Sequence, residues 1–448
     1  MKKLIVTFSL LACFSAFAQE HFSGISTSNR VGILNATINP AELPNLSKKF
    51  EVNFVGLSLN VDNNKISFSD INSSTPFEQI IFSGTSPVNA RIDGEILGPG
   101  FAMKWMKWGF AFTTKAYAKF DIVDVNPVIG NAITNDNLIV NTTILNNPNN
   151  QRVSGTSYGE IGLSAGRVLF ENDKHQFSAG VTLKILFPGS YSNFGLSQLD
   201  GQINQNATGA YLTTNGPAIL NIAYSGNLAN SFTNFDDYSK SVFGGLDGFS
   251  GDIGVNYHLK SDKGGNKLNF GLAIRNIGRM TYKDNNNAST QYVLNIQPNV
   301  QNPQGLDLAA FQNIDNLREV EQTLRDKGYL TELPQERNFK VKLPTTLTTY
   351  ADFKLVPKVY VTAFLQQKLN KDEGNDQITA PNIFSVTPRV NLGFFEGFLP
   401  VSFNEISGTN VGVGFRLAGF YLGSSSIISS LADGKRGDLY MGYRLAFL

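Results

Sequence analysis

The chain has 448 residues, enough for two or three ordinary domains or for one large barrel. Its formal net charge is +1 with no clustered basic segment, which excludes a nucleic-acid partner recognised through charge. With 42 Gly, 34 Phe and only 16% charged residues, the composition favours β structure joined by long polar connections, and no apolar run is long enough for a membrane-spanning helix.

The N-terminus, MKKLIVTFSLLACFSAFAQ, places a basic start before an apolar run and the small-x-small site Ala16-Phe17-Ala18. This predicts an exported chain cleaved after Ala18, with residues 1–18 as signal peptide. Leu10-Leu11-Ala12-Cys13 also resembles a lipoprotein box in which Cys13 would carry lipid, although the apolar residues after it are unlike a polar tether. Cleavage after Ala18 removes the only cysteine, and with it any disulfide or cysteine-ligated metal site.

From Phe50 onward, segments with period-two apolar alternation recur between turn residues. Short connections at Trp105-Met-Lys107, Glu171 to Lys174, Ser261 to Gly265, Val356-Pro357, Glu396-Gly397 and Ala418-Gly419 alternate with mostly long ones, such as Ile122 to Gly155 and Pro188 to Leu246. Fourteen strands result, from Phe50 to Asn60 through Arg91 to Lys104, Trp108 to Asp121, Thr156 to Phe170 and His175 to Phe187, ending on Gly437 to Leu448. An even count with this rhythm predicts an all-β, antiparallel transmembrane barrel over residues 50–448, in the outer membrane of a Gram-negative cell. Phe177, Ala179, Val181, Leu183, Ile185 and Phe187 would face lipid, and Trp105 and Trp108 would belong to an interfacial girdle.

Asn39-Pro40-Ala41 just before the first strand, Lys342-Leu-Pro-Thr-Thr-Leu-Thr348 opening another, the Gly-rich GTNVGVGFRLAGFYLGSSS and the terminal GYRLAF carry a resemblance. The chain resembles the long-chain fatty-acid transporters of Gram-negative bacteria. Within that superfamily it is most similar to a Bacteroidota outer-membrane family of unknown function, and less so to the shuttle barrel of type IX secretion. The resemblance implies an N-terminal plug, here residues 19–49, with Asn39, Pro40 and Ala41 in the hatch. It also implies a kinked strand that opens sideways into the membrane, for which Gly98, Pro99 and Gly100 are the candidates, since proline removes a ladder donor.

One long connection departs from that pattern. In GLDLAAFQNIDNLREVEQTLRDKG, residues 305–328, apolar side chains recur at three and four, so a single amphipathic helix capped by Asp307 and stopped at Lys327-Gly328 is expected on the outer side.

No histidine pair has metal-ligand spacing, and the two G-x-S-x-G copies at Gly155–Gly159 and Gly162–Gly166 fall at the start of and within one predicted strand, where a nucleophile elbow cannot form. Neither an enzyme nor a cofactor is expected. Alternation points Lys115, Lys119, Lys184, Arg275, Arg389, Arg416 and Arg444 into the lumen, either as an anion-guiding path or as a rigidifying ion-pair network. The last strand carries Tyr443, Leu445 and Phe447 at alternate positions, resembling a recognition signal for barrel-assembly machinery. The expected partners are outer-membrane lipid, that machinery, and either a small hydrophobic molecule passing through or a protein of a secretion or envelope-assembly complex held by a non-transporting scaffold.

Overall fold

The computed structural model describes residues 21–134, 140–226, 245–261, 265–283, 287–312, 314, 316–334 and 338–448. The expected leader, Cys13 included, lies outside the described residues.

Fourteen antiparallel strands close into a barrel. In chain order they are β1 (Phe50–Asn63), β2 (Val88–Leu97, continued by Gly100–Trp105), β3 (Trp108–Val125), β4 (Gln151–Glu171) and β5 (His175–Ser197). Next come β6 (Gly248–Lys260), β7 (Asn266–Tyr282), β8 (Phe339–Lys342 and Thr346–Val356), β9 (Val359–Lys368) and β10 (Ile383–Asn391). The last four are β11 (Phe395–Phe398 and Val401–Asn404), β12 (Gly408–Val411 and Val413–Leu417), β13 (Phe420–Ser424) and β14 (Arg436–Phe447). Each pairs with the next, and β14 returns to β1 from Phe50↔Phe447 to Asp62↔Arg436, so neither end strand is left with an open edge.

The faces separate as the alternation requires. On β5, Val181 and Leu183 are about half exposed on the outer face while Ser178, Thr182 and Lys184 are buried inside. Leu439, Tyr443, Leu445 and Phe447 on β14 face outward, whereas Arg444 is buried. Trp105 and Trp108 pair across the tight turn as expected, both exposed. One turn is displaced. Glu396 and Gly397 are not a turn but part of β11, where they pair with β10 and β12, and the chain reverses at Leu392-Gly393-Phe394 instead. Gly393 takes φ +89° there, a conformation that glycine adopts without strain.

The long connections are more ordered than polar loops. The upper part of β5 pairs with Ala218–Ser225, which pairs with Ala288–Leu294, and a separate four-stranded sheet forms from Asn141–Asn147, Leu199–Asn206, Gly209–Thr214 and Leu306–Asp307. Together with α-helices they build an outer domain around Leu199, Ile203, Leu212, Leu220, Ile222 and Tyr292. Among the described residues the α-helices are α1 (Ile33–Ile38), α2 (Phe77–Ile81), α3 (Pro127–Thr134), α4 (Leu317–Asp326) and α5 (Ile427–Leu431).

The expected helix over 305–328 is therefore shorter. Leu306–Asp307 is a strand, Leu308–Phe311 is a 3-10 turn capped by the Asp307 side chain, and α4 begins only at Leu317. Asn316 caps it by accepting from the Glu319 backbone N–H at 3.1 Å, and Gly328 at φ +74° ends it. Its apolar face is covered: Leu317 and Leu324 are buried in the outer-domain core.

Candidate functional site

Residues 21–49, the hatch expected from the sequence, pack against the inner face of the barrel wall. The turn at Pro40–Asn45 follows Asn39, whose side chain caps it by accepting from the Ala41 N–H at 3.0 Å and donates to the Val255 carbonyl at 2.9 Å. It lies flat on the barrel wall because four wall positions there are glycine: a methyl on Gly109, Gly166, Gly180 or Gly254 would run into Leu43, Pro40 or Asn39. Gly166, which belongs to one of the G-x-S-x-G copies, thus serves hatch packing, and both copies lie inside β4.

Polar anchors hold the rest. Glu42 is buried and accepts from Tyr350 Oη at 2.6 Å, Asn269 at 2.8 Å and Asn256 at 3.0 Å, with His258 Nε2 at 3.8 Å. Ser28 donates to Glu396 at 2.8 Å, and the Thr27 carbonyl accepts from Arg389 at 2.7 Å. Glu51 at the start of β1 joins the hatch to the last strand, accepting from the Ile33 N–H at 2.8 Å and from Arg444 at 3.1 Å.

All seven expected cations point inward, but they do not form an uncompensated path. Lys115 meets Glu95 at 2.8 Å, Lys119 meets Asp93, and Lys184 meets Asp252 at 2.9 Å. Arg416 lies 3.2 Å and Arg389 3.7 Å from the shared carboxylate of Glu396. The exception is Arg275, which donates to Thr348 at 3.1 Å and Gln366 at 2.6 Å and has no carboxylate within 4.0 Å among the described residues. It borders a lumenal cavity of about 60 Å³ together with Lys115, Lys184, Tyr117, Tyr158 and Phe364.

At Gly98-Pro99 the wall is irregular. β2 pairs with β3 up to Leu97↔Lys115 and resumes at Phe101↔Phe112, so three residues face two, a β-bulge. Across the other edge β1 keeps its register, Gly56↔Leu97 and Asn53↔Gly100, but with no ladder pairing between. Side chains staple the interruption: Asn53 donates to the Gly98 carbonyl at 2.8 Å, and Thr114 Oγ1 to the Pro99 carbonyl at 2.8 Å. Behind the break the lumen is apolar, with Leu97, Ala102 and Ala111 of the wall clustered on Phe22, Ile33 and Leu34 of the hatch. Phe22 comes so close that a methyl on Gly56 would sit 3.2 Å from its ring.

Sequence reasoning missed Glu42, Asp93, Glu95 and Glu396. For Asp93 and Glu95 the signal existed, since both share strand parity with Arg91, which is buried against Asp121 at 2.6 Å. Glu396 was hidden by its assignment to a turn, and Glu42 sits in a segment with no periodicity to read.

A family model described as a family of unknown function (DUF5723) matches residues 40–425. The chain belongs to that family. The match begins within Asn39-Pro40-Ala41 and takes in the bulge, the cation set up to Arg416 and most of the barrel. No curated protein matches the sequence. Among solved structures, a deltaS2S3 mutant of the TodX monoaromatic hydrocarbon channel is 9% identical with TM-score 0.47, over 96% of both chains. TodX is a Pseudomonas putida toluene transporter. The Ralstonia pickettii toluene transporter TbuX is 10% identical with TM-score 0.43, over 94% of this chain and 95% of that one. A Pseudomonas aeruginosa FadL homologue is 9% identical with TM-score 0.42, over 96% and 98%.

Proposed function

We propose that this barrel admits a small hydrophobic or amphiphilic molecule and releases it sideways through the bulge at Gly98-Pro99-Gly100, with the hatch as the closed gate. The observation that carries this is the pairing of an interrupted ladder with an apolar interior. The wall behind Gly98-Pro99 presents Leu97, Ala102 and Ala111 to Phe22, Ile33 and Leu34 of the hatch, while Lys115, Lys119 and Lys184 along the lumen are held in ion pairs. Withdrawing Phe22 and α1 would leave an apolar hollow opening on a stretch of wall where β1 and β2 lack ladder pairs and side chains bridge the gap. Arg275 suits an anionic head group on such a guest, since it borders the lumenal cavity with no carboxylate within 4.0 Å among the described residues.

The test is joint deletion of Phe54 and Pro99, which removes the extra residue of β2 against β3 and its counterpart in β1, so that the three strands pair without interruption. In vesicles carrying the purified barrel, uptake of a fluorescent long-chain fatty acid is expected to fall to the level of protein-free vesicles, while the deletion variant keeps its folded gel migration. Unchanged uptake by the folded variant would refute lateral release.

A second reading, a non-transporting scaffold of a secretion or envelope-assembly complex, is favoured by a separate observation. Residues 21–49 occupy the barrel interior, and among the described residues Asn141–Asn147 is an edge strand of the outer domain with Ile144 exposed. Purification in mild detergent separates the two: a stoichiometric protein partner supports the scaffold, and co-purifying lipid without protein supports passage.

A further inference from the structure

Strand β13 is too short for its place in the wall. It has five residues, pairing with β14 from Phe420↔Tyr443 to Gly423↔Tyr440 and with β12 from Leu417↔Phe420 to Val413↔Ser424. A spanning strand needs roughly 9 to 11 residues. Its two neighbours continue beyond it: β14 runs on to Arg436 against β1, and Gly408–Val411 of β12 runs on against β11. A wedge without strand therefore opens in the outer half of the wall.

The flanks of this wedge are still in the apolar band. Leu439 is 54% exposed on β14, Val61 opposite Gly437 is 39% exposed on β1, and Val401 opposite Val411 is 41% exposed on β11. Helix α5 occupies the wedge and ties both free edges: Ser429 Oγ accepts from the Val411 N–H at 2.7 Å, and Ser430 Oγ donates to the Arg436 carbonyl at 2.6 Å. Its approach is also satisfied internally. Ser424 Oγ accepts from the Ser426 and Ile427 N–H groups, and the Asp438 carboxylate accepts from the Ser425 N–H at 2.7 Å. The helix carries no charge, buries Ser430, and presents Ile427, Ile428 and Leu431 outward, Leu431 at 75% exposure.

We propose that α5 is a membrane-embedded wall segment, replacing the missing half of β13 and presenting Ile427, Ile428 and Leu431 to the acyl chains of outer-leaflet lipid. Two physical requirements meet there. Backbone placed in hydrocarbon must have its polar groups paired within the protein, which the serines and Asp438 do for the N–H groups of Val411, Ser425, Ser426 and Ile427 and for the Arg436 carbonyl. An aliphatic face continuous with the lipid-facing belt gains by burial in lipid what it would lose in water. The inference concerns this wall segment alone and stands or falls independently of lateral release at Gly98-Pro99.

Single nitroxide labels test it. In a Cys13→Ser background, Leu431→Cys and Ile428→Cys are labelled and the barrel is placed in phosphatidylcholine vesicles, with Leu439→Cys as the lipid reference and Ser74→Cys as the water reference. The expected result is collision with oxygen and protection from a water-soluble nickel chelate at the Leu439 level for both helix positions. Nickel access equal to that at Ser74 would overturn the assignment. Ile427→Cys gives the same discrimination should one variant fail to assemble.

Discussion

The lumen and the outer domain are built from one chain in opposite senses. Inside the barrel the charged residues are buried, Arg389, Arg416 and Glu396 fully so, and the aliphatic side chains face out. In the outer domain Leu199, Leu220 and Tyr292 are buried and the amides and hydroxyls face out. The difference follows from the surrounding medium. Lipid cannot solvate a guanidinium, and a lysine or arginine turned toward it at mid-depth costs about 2–4 kcal/mol. Water exacts the opposite cost from a leucine. The barrel is consequently specified by its polar contacts and the outer domain by its apolar packing, and mutations should separate the two.

The largest effect is expected in the lumen. Glu396→Ala leaves two buried guanidiniums without their shared carboxylate, a loss of about 3–5 kcal/mol. Urea titration of the folded gel band should show an earlier midpoint, partly restored in Glu396→Gln. Leu220→Ala in the outer core should cost about 2–5 kcal/mol but only locally. Hydrogen exchange should rise in the outer strands while the barrel midpoint holds; a shift of both together would mean that the two regions fold as one unit.

An alkaline titration sharpens the contrast further. Burial, and then the hydrogen bond to Glu321, hold the Tyr292 hydroxyl above its usual range. A proton bound more tightly in the folded state gives stability that is intact below the unfolded value, about 10, and is lost as pH rises beyond it. Outer-strand exchange should therefore accelerate above that pH, and Tyr292→Phe should blunt the response.

Asn316→Ala removes the cap of α4 at a cost of about 1 kcal/mol, readable as faster exchange in the helix alone. The smallest effect belongs to Glu171→Gln. Its ion pair with Lys260 at 2.7 Å is partly exposed, and such pairs contribute about 0–1 kcal/mol. A large loss there would break the rule that only enclosed ion pairs specify the barrel.

Much of the barrel was legible because strand periodicity is local. The outward residues of β5 and β14 and the inward cations follow from a two-residue repeat that needs no knowledge of neighbours. The hatch site was legible only in part. Asn39-Pro40-Ala41 and Gly98-Pro99-Gly100 were readable as a turn and an interruption, but the glycine floor of Gly109, Gly166, Gly180 and Gly254 comes from four successive strands and depends on the register that brings them side by side. Glu396 shows the same limit: a Glu-Gly pair reads as a turn until its register against Arg389 and Arg416 is known.

By itself the sequence determined the fourteen strands, their closure through Gly437 to Leu448 and which face of each meets lipid, since alternation between two media is written residue by residue. Only the tertiary structure decided that the cations are paired, that the long connections fold into a domain with its own core, and that a serine-lined helix completes the wall above β13. Those outcomes depend on which strands become neighbours, and that is fixed by closure of the whole sheet rather than by any one segment.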